Sequence, residues 1–471
     1  MFSQKGSVSS QAVFWAALAG FSLLVTLLAA TWHDFPVPAN DSVAYLAYAR
    51  SLRIAGVYAA TEAGPAADAI PGREPLYSLV IAGLARLHPT WSTALRDCSP
   101  PVETCASGLV FLKYANVVFL ALAAVIAGAT IRALGGSHAG AIVATGYVSL
   151  NFTIWRWLKY VISDYLAVLL VAIGVLSLIL ALRRQTDPRA WIGLGIVLAM
   201  LALTKQVFLP FAVLLAIGFL IHGVVIRRQR GWSALVPGLS VLTVVAAING
   251  GWALRNIALF GVMNDGRGSI ALSTREVFDN MTPIEHVVAF LWFMRPPGKN
   301  IAKRLFSEKD TRRFEWGEPE SFYWRGQVVN HAARVAHLKS ETGVSEAIAQ
   351  SRASGVVVRE ILANWTGYLE SMPAIFYRGL WFDSFMPLSL PLLILPFLWA
   401  WRESRWLLLV ALSPSLWSLF IYPAISLNIP RYQFTAVIAL AITAGMAADR
   451  LKSKRRAKSC ISGTPRYNSG S

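Results

Sequence analysis

The sequence predicts an all-α polytopic membrane protein: about ten transmembrane helices, an outer-face loop carrying juxtamembrane helices, and a mainly helical insert. Three observations carry that prediction. Hydrophobic residues make up 55% of the chain and charged residues only 14%. Charge-free runs of roughly 17–25 residues, the length a helix needs to cross the hydrocarbon core, recur along it. Lysine and arginine gather in alternate connecting segments, the pattern that sets orientation in a bilayer. The net charge of +18 would suit nucleic acid, but these cations sit in short loops and in the C-terminal tail. That placement fits anionic lipid beside the membrane and argues against nucleic-acid binding.

Taken in order, the first span runs from about Gln11 to Thr31. A cleaved signal peptide is the alternative, but the apolar stretch exceeds the roughly 7–15 residues of a signal core, so we read a retained span. Tyr114–Ile131, Ala139–Trp155 and Tyr165–Leu182 follow. Trp191–Thr204 and Gln206–Ile226 form a tight pair split at Lys205, and Ser233–Leu254 is the seventh span. After a polar insert come Pro387–Trp401, Trp406–Tyr422 and Tyr432–Ala448.

Alternating these spans from a cytoplasmic Lys5 puts Arg132, Arg183, Arg184, Arg189, Arg227, Arg228, Arg230, Arg402 and Arg405 on the inside. The tail with Arg450, Lys452, Lys454, Arg455, Arg456 and Lys458 falls there too, so both termini are expected in the cytoplasm. The resulting divisions are an N-terminal membrane module, 1–255, with an outer loop at 33–108; an extracytoplasmic insert, 256–383; C-terminal membrane helices, 384–449; and a basic tail, 450–471.

Within the insert, Thr282-Pro283-Ile284-Glu285 reads as a capping box with proline at the first helical position. His331–Arg352 and Gly355–Phe376 read as further helices. Three cysteines are too few for a disulfide framework. Cys98 and Cys105 flank one short loop and are either a single bridge in an oxidising compartment or two free thiols. Cys460 is expected to be free.

The charges at the outer ends of the spans point to chemistry. Asp164 begins the fourth span, Lys205 sits at a hairpin tip, Arg255 ends the seventh span and Arg431 starts the tenth. Asp41 and Arg73 lie on the outer loop above them. Singly, each is explained by snorkelling, and Asn40 or Asp41 by a helix N-cap. Together they ring one cavity with cations suited to a phosphate or pyrophosphate and a carboxylate suited to base catalysis. Asp41 falls at the start of an amphipathic helix containing Tyr45 and Tyr48. Pro75 falls in the first turn of a second helix, after Gly72-Arg73-Glu74.

Four segments then resemble the polytopic glycosyltransferases of the GT-C fold, closest to the bacterial protein mannosyltransferase-like and aminoarabinose transferase-like branch. They are Asp41-Ser42-Val43-Ala44-Tyr45 leading to Gly56-Val57-Tyr58; Arg73-Glu74-Pro75-Leu76-Tyr77; Trp252-Ala253-Leu254-Arg255-Asn256 with Phe260-Gly261; and Arg431-Tyr432. Ser163-Asp164 resembles a serine–acid pair on a middle helix.

The resemblance implies an inverting transfer of a sugar from a polyprenyl-phosphate donor to a cell-envelope glycan, lipid or protein. This would take place at the outer face of the bacterial cytoplasmic membrane. It implies Asp41 as catalytic base and Arg73, Lys205, Arg255 and Arg431 as ligands of the donor phosphate. Tyr45, Tyr77, Asp164 and Tyr432 would line the substrate cavity. Many relatives carry a paired acid where this chain has Asp41-Ser42, so a divalent metal ion is left open rather than implied. His33 and Asp34 lie close by. Two other classes fit a polytopic body: a transporter or flippase for an envelope precursor, expected to break its helices near mid-membrane, and a structural or assembly protein.

Overall fold

The structure is a computed structural model that describes residues 8–32, 40–60, 72–98, 107–226, 234–263, 267–294 and 298–462. The expectations for Lys5, His33, Asp34, Cys105, Arg227, Arg228 and Arg230 fall outside the described residues. No strand occurs among those described, and seven helical stretches are long and apolar enough to cross a membrane. They are 10–31, 107–133, 164–183, 208–225, 236–260, 406–425 and 430–453.

The chain opens with α1 (Val8–Thr31), α2 (Asn40–Ala55), α3 (Pro75–Ala85) and α4 (Pro89–Asp97). The body follows as α5 (Val110–Ala133), α6 (His138–Ser149), α7 (Phe152–Trp155), α8 (Asp164–Arg183), α9 (Pro188–Ala202), α10 (Phe208–Ile221) and α11 (Val236–Phe260). A π-helical turn, His222–Ile226, extends α10. The central element is α8, most of whose residues are buried. It packs on α5, α9 and α21 (Trp406–Ile425), while α5 also packs on α1 and α6. A second core joins α9, α10 and α11 around Trp191, Leu198 and Val241. Buried hydroxyls tie α1 to this body, as Ser22 Oγ and Ser149 Oγ meet at 2.8 Å. That is how a largely apolar helix gains a register, since oil-like side chains alone do not set one.

The expected span Ala139–Trp155 is broken. It ends as α6 at Ser149, and Asn151 caps α7 by accepting from the Ile154 N–H at 3.3 Å. The freed Ser149 carbonyl takes the Trp155 indole N–H at 2.8 Å. A polar side chain that competes for the backbone thus overrides an apolar run.

The insert begins with α12 (Arg267–Glu276), α13 (Pro283–Phe293), α14 (Gly298–Leu305), α15 (Glu308–Arg312) and α16 (Phe322–Trp324). A π-helical stretch, Arg325–Asn330, leads into α17 (His331–Thr342), followed by α18 (Glu346–Ala363) and α19 (Trp365–Leu380). The capping box expected at α13 is present in both directions. The two longer insert helices are not continuous. His331–Arg352 breaks at Gly343, which adopts left-handed backbone at φ 61° and ends α17. Gly355–Phe376 breaks at Asn364, whose amide donates to the Asp279 carbonyl at 3.2 Å.

The chain returns to the body through α20 (Met386–Glu403), α21, a 3₁₀ segment Pro430–Ala436, and α22 (Val437–Ser462), which carries the expected tail forward as helix. Arg275, fully buried, pins the insert to this body. It pairs with Asp279 and donates to the carbonyls of Pro423 at 3.0 Å and Tyr368 at 2.8 Å. At the opposite end of the body Asp449 accepts from the Ser137 N–H at 2.7 Å, and Arg450 clamps Glu403 at 2.7 and 2.6 Å. On the loop side Cys98 is disulfide-bonded.

Candidate functional site

Each charged group of the site is delivered by the end of an element. Asp41 lies in the first turn of α2, where a carboxylate is favoured by the helix dipole. Arg73 comes immediately before α3, whose start is fixed by Pro75 and by the Leu76 N–H donating to the Leu203 carbonyl at 3.1 Å. Glu74 locks the same junction by accepting from the Gln206 N–H at 3.1 Å. The segment before α3 is thereby bonded to the α9–α10 turn that carries Lys205. Asp164 opens α8, and Arg431 opens the 3₁₀ segment before α22.

These ends converge. Arg73 Nη2 donates to one oxygen of Asp41 and Arg431 Nη2 to the other, although Asp41 and Arg431 are 390 positions apart. The Asp41, Arg73 and Arg431 side chains are 21%, 23% and 12% exposed, so the cluster sits at a partly open surface. Beside it, the Lys205 ammonium donates to Asp164 Oδ1 at 3.0 Å and lies 5.8 Å from the Tyr432 ring. Tyr422 and Tyr432 stack at 4.7 Å, and Arg431 lies 5.6 Å from the Trp157 ring. Burial alone would raise the Asp41 carboxyl. Arg73 and Arg431 more than offset it and hold the group below the ordinary carboxylate range.

Two expected cavity residues are instead supports. Tyr45 and Tyr77 are 3% and 2% exposed and meet edge to face at 5.0 Å. The Tyr45 hydroxyl bonds Ser163 Oγ at 3.0 Å, and Ser42 Oγ donates to the Val161 carbonyl at 3.0 Å. They anchor α2 to the turn before α8 and so set where Asp41 stands. Asp164 is likewise buried, against Lys205.

Arg255 does not join the cluster. Its guanidinium lies against Trp252 at 4.6 Å, Tyr58 at 5.5 Å and Phe260 at 5.7 Å, and it donates to the Tyr58 carbonyl and to Asn256 Oδ1. Tyr58 in turn donates its hydroxyl to the Arg73 carbonyl at 2.7 Å. Arg255 therefore acts on the site through the backbone of Arg73.

The insert contributes groups that no sequence pattern singled out. Arg378, in the last turn of α19, lies 4.6 Å from the Phe293 ring, and no carboxylate pairs with it among the described residues. Burial pushes its guanidinium down to about 10, with the field of Tyr432 acting in the other direction. Its neighbour Gly379 is held against Asn428, whose amide donates to the Ile375 carbonyl at 2.9 Å. This brings the end of α19 to the segment that leads into Arg431 and Tyr432. Trp381 Nε1 is a buried donor without a partner. Tyr323 stacks on Trp316 at 3.6 Å, and burial and then the fields of Tyr432 and Asp41 raise its hydroxyl.

The donor set does not suit a divalent cation, because Asp41 and Asp164 both already carry cationic partners. Among the described residues, no three His, Cys, Asp or Glu side chains group together in a way that would hold a metal. What the arrangement offers is a carboxylate with adjustable basicity amid fixed positive charge. No protein-family model matches the chain, and no curated protein matches it.

Proposed function

We propose that this chain is an inverting glycosyltransferase that takes its sugar from a polyprenyl-phosphate donor at the outer face of the bacterial cytoplasmic membrane. The observation that carries the reading is Asp41, a carboxylate gripped by two arginines from distant parts of the chain, with the Lys205–Asp164 pair beside it. A carboxylate for the acceptor proton and cations for a departing phosphate are the two groups such a displacement needs.

In this reading the broken α6–α7 segment, α9 and α20 complete ten spans with the seven longer stretches, and both termini are cytoplasmic. The arginines at the end opposite the site, among them Arg132, Arg183 and Arg450, mark the cytoplasmic side. The acceptor is a cell-envelope glycan, lipid or protein.

The acceptor hydroxyl oxygen attacks the anomeric carbon as its proton passes to Asp41. The bond from that carbon to the phosphate oxygen breaks, its electron pair leaves with the polyprenyl phosphate, and one displacement inverts the centre. Held by two arginines, Asp41 is a weak base. An arriving donor phosphate competes for Arg73 and Arg431, and losing them raises the basicity of Asp41. Donor binding and base activation are thus one event. Arg378, with no carboxylate partner among the described residues, is our candidate for a further cation that receives that phosphate.

A flippase for an envelope precursor is the second reading, favoured by the internal prolines Pro391 and Pro396 in α20 and Pro414 and Pro423 in α21. The purified chain, reconstituted in vesicles carrying a polyprenyl-phosphate sugar and an envelope extract, separates the two. Free polyprenyl phosphate released with a sugar-modified acceptor supports transfer. Intact donor moved across the bilayer supports transport and ends the transferase reading.

A further inference from the structure

Arg431 reaches Asp41 from the end of a short connector, 426–429, that joins α21 to the 3₁₀ segment. One residue of that connector stands apart. Asn428 has a φ of 49°, left-handed backbone that Ser404 alone shares among the described non-glycine residues. Asparagine enters that region more readily than most side chains. Asn428 is 1% exposed, and its amide bridges two elements. Its Nδ2 donates to the Ile375 carbonyl of α19 at 2.9 Å, and its Oδ1 accepts from Gln433 Nε2 in the 3₁₀ segment. Its backbone N–H donates to Ser426 Oγ at 3.1 Å.

The packing around this bridge leaves it little play. Gln433, fully buried, also donates to the Ser418 carbonyl of α21 at 2.9 Å. A side chain at Gly379 would collide with the Asn428 amide, so α19 lies directly against it. On either side of Asn428, Leu427 and Ile429 pack into the core of the insert with Phe278, Phe322 and Ile375. The connector is thus part of the insert by its packing, while its chain runs on into the membrane body. Within two residues of Ile429 the chain reaches Arg431, and the Tyr432 N–H returns to the Ile429 carbonyl at 2.9 Å. A shift of α19 relative to α21 has no slack in which to be absorbed before Arg431.

We propose that Asn428 is a positioning residue, which fixes the insert to the turn carrying Arg431 and so sets the grip of Arg431 on Asp41. The insert then has a part in the site without touching the reacting atoms. Its bearing on catalysis rests on the transferase reading above, in which Arg431 receives the donor phosphate and releases Asp41. Glycine takes left-handed backbone freely, so Asn428→Gly removes the amide and spares the turn. Arg73 and Lys205 still act on Asp41 in that variant. Asp41 is useful as a base only when ionised, and activity falls as pH drops through its folded value. Arg431 helps to hold that value low, so a loosened Arg431 moves the acidic limb of kcat/KM to higher pH.

The test compares wild type, Asn428→Gly, Arg431→Met and the double variant, each as the full chain in vesicles carrying a polyprenyl-phosphate sugar and an envelope extract. Asn428→Gly is expected to raise the donor KM roughly fivefold or more and to move the acidic limb to higher pH. Arg431→Met shows both changes, and adding Asn428→Gly to it changes neither further. A residue that serves stability alone lowers the amount of folded chain and leaves KM and the limb in place. Gln433→Leu cuts the same bridge from the other side and is expected to act like Asn428→Gly, so the result does not depend on one variant folding. Wild-type KM and pH profile in both bridge variants, or effects that multiply in the double variant, overturn the proposal. Thermal unfolding of the same four chains needs no transfer: the two substitutions cost less together than their sum if Asn428 works through Arg431. A chain that shows this shortfall but transfers no sugar keeps the positioning and ends the transferase reading. A chain that transfers sugar with additive effects ends the positioning alone.

Discussion

Asp164→Asn removes the carboxylate that neutralises Lys205, and the structure says what that costs. The pair is 3.0 Å apart, with side chains 5% and 13% exposed. At an effective dielectric of about 20, attraction at that separation is roughly 5.5 kcal/mol, and removing the two ions from water takes back several kcal/mol each. Deleting one partner of such a pair typically costs roughly 3–5 kcal/mol, because the other charge stays buried. Burial alone would lower the Lys205 ammonium, but Asp164 outweighs it and raises the group above the ordinary lysine value. Its stabilisation is therefore complete below about pH 10.4 and is lost only as pH rises through the higher folded value. The Asn variant is predicted to lose about 3 kcal/mol in thermal or denaturant unfolding at pH 7. Adding Lys205→Met removes the orphaned charge and restores most of that loss.

Activity then separates two roles for Lys205. If it binds the donor phosphate, the stable double variant transfers sugar at least a hundredfold more slowly. If activity returns with stability, Lys205 is structural and the donor-phosphate assignment fails. An Asp164→Asn variant that loses less than about 1 kcal/mol would mean that the pair behaves as an exposed one.

Three further outcomes are expected. Arg275→Met leaves Asp279 buried without its cation and costs roughly 3–5 kcal/mol, seen as lower unfolding temperature and faster proteolysis of the insert; unchanged proteolysis would show that the pin does not hold the insert. Arg378→Met removes a half-buried cation that has no carboxylate partner among the described residues, so stability holds or rises while the KM for the polyprenyl-phosphate donor climbs at least tenfold. An unchanged KM removes Arg378 from the phosphate site. Asp41 is held below the ordinary carboxylate range, so its contribution to stability is full above about pH 4 and is lost as pH falls further. The stability deficit of Asp41→Asn, measured by unfolding, shrinks below that pH; a deficit constant from pH 7 to pH 3 would show that the arginines do not stabilise the ionised form.

Much of the architecture was legible because membrane spans announce themselves by length and hydropathy, and the helix at Pro283 by its capping box. The cluster of Asp41, Arg73, Asp164, Lys205 and Arg431 was legible for a related reason. A charge at the end of an apolar run needs a partner, and alternation of the spans put all five at one end. Side-chain direction was not legible. Arg255 stands at a span end like the others, yet an aromatic triad turns it away from Asp41, and tyrosines expected in a cavity are packed beneath the site. Arg378 was missed because the insert follows no periodic or motif-like pattern around it. The docking of Gly379 on Asn428, far off in sequence, brings it near Tyr432. The break at Leu150 comes from Asn151 capping the next turn at Ile154, and that at Asn364 from an amide that bonds the Asp279 carbonyl across the fold; hydropathy registers neither.

The role of Asp41 is tested most directly by sugar transfer in reconstituted vesicles, comparing wild type with Asp41→Asn by the release of free polyprenyl phosphate. Asparagine keeps the shape of the side chain and one acceptor oxygen for one of the two arginines, but it cannot take a proton. The predicted result is donor binding within a few-fold of wild type with release reduced at least a thousandfold, in line with the loss of a positioned base. Release by Asp41→Asn at a rate near wild type would contradict the account.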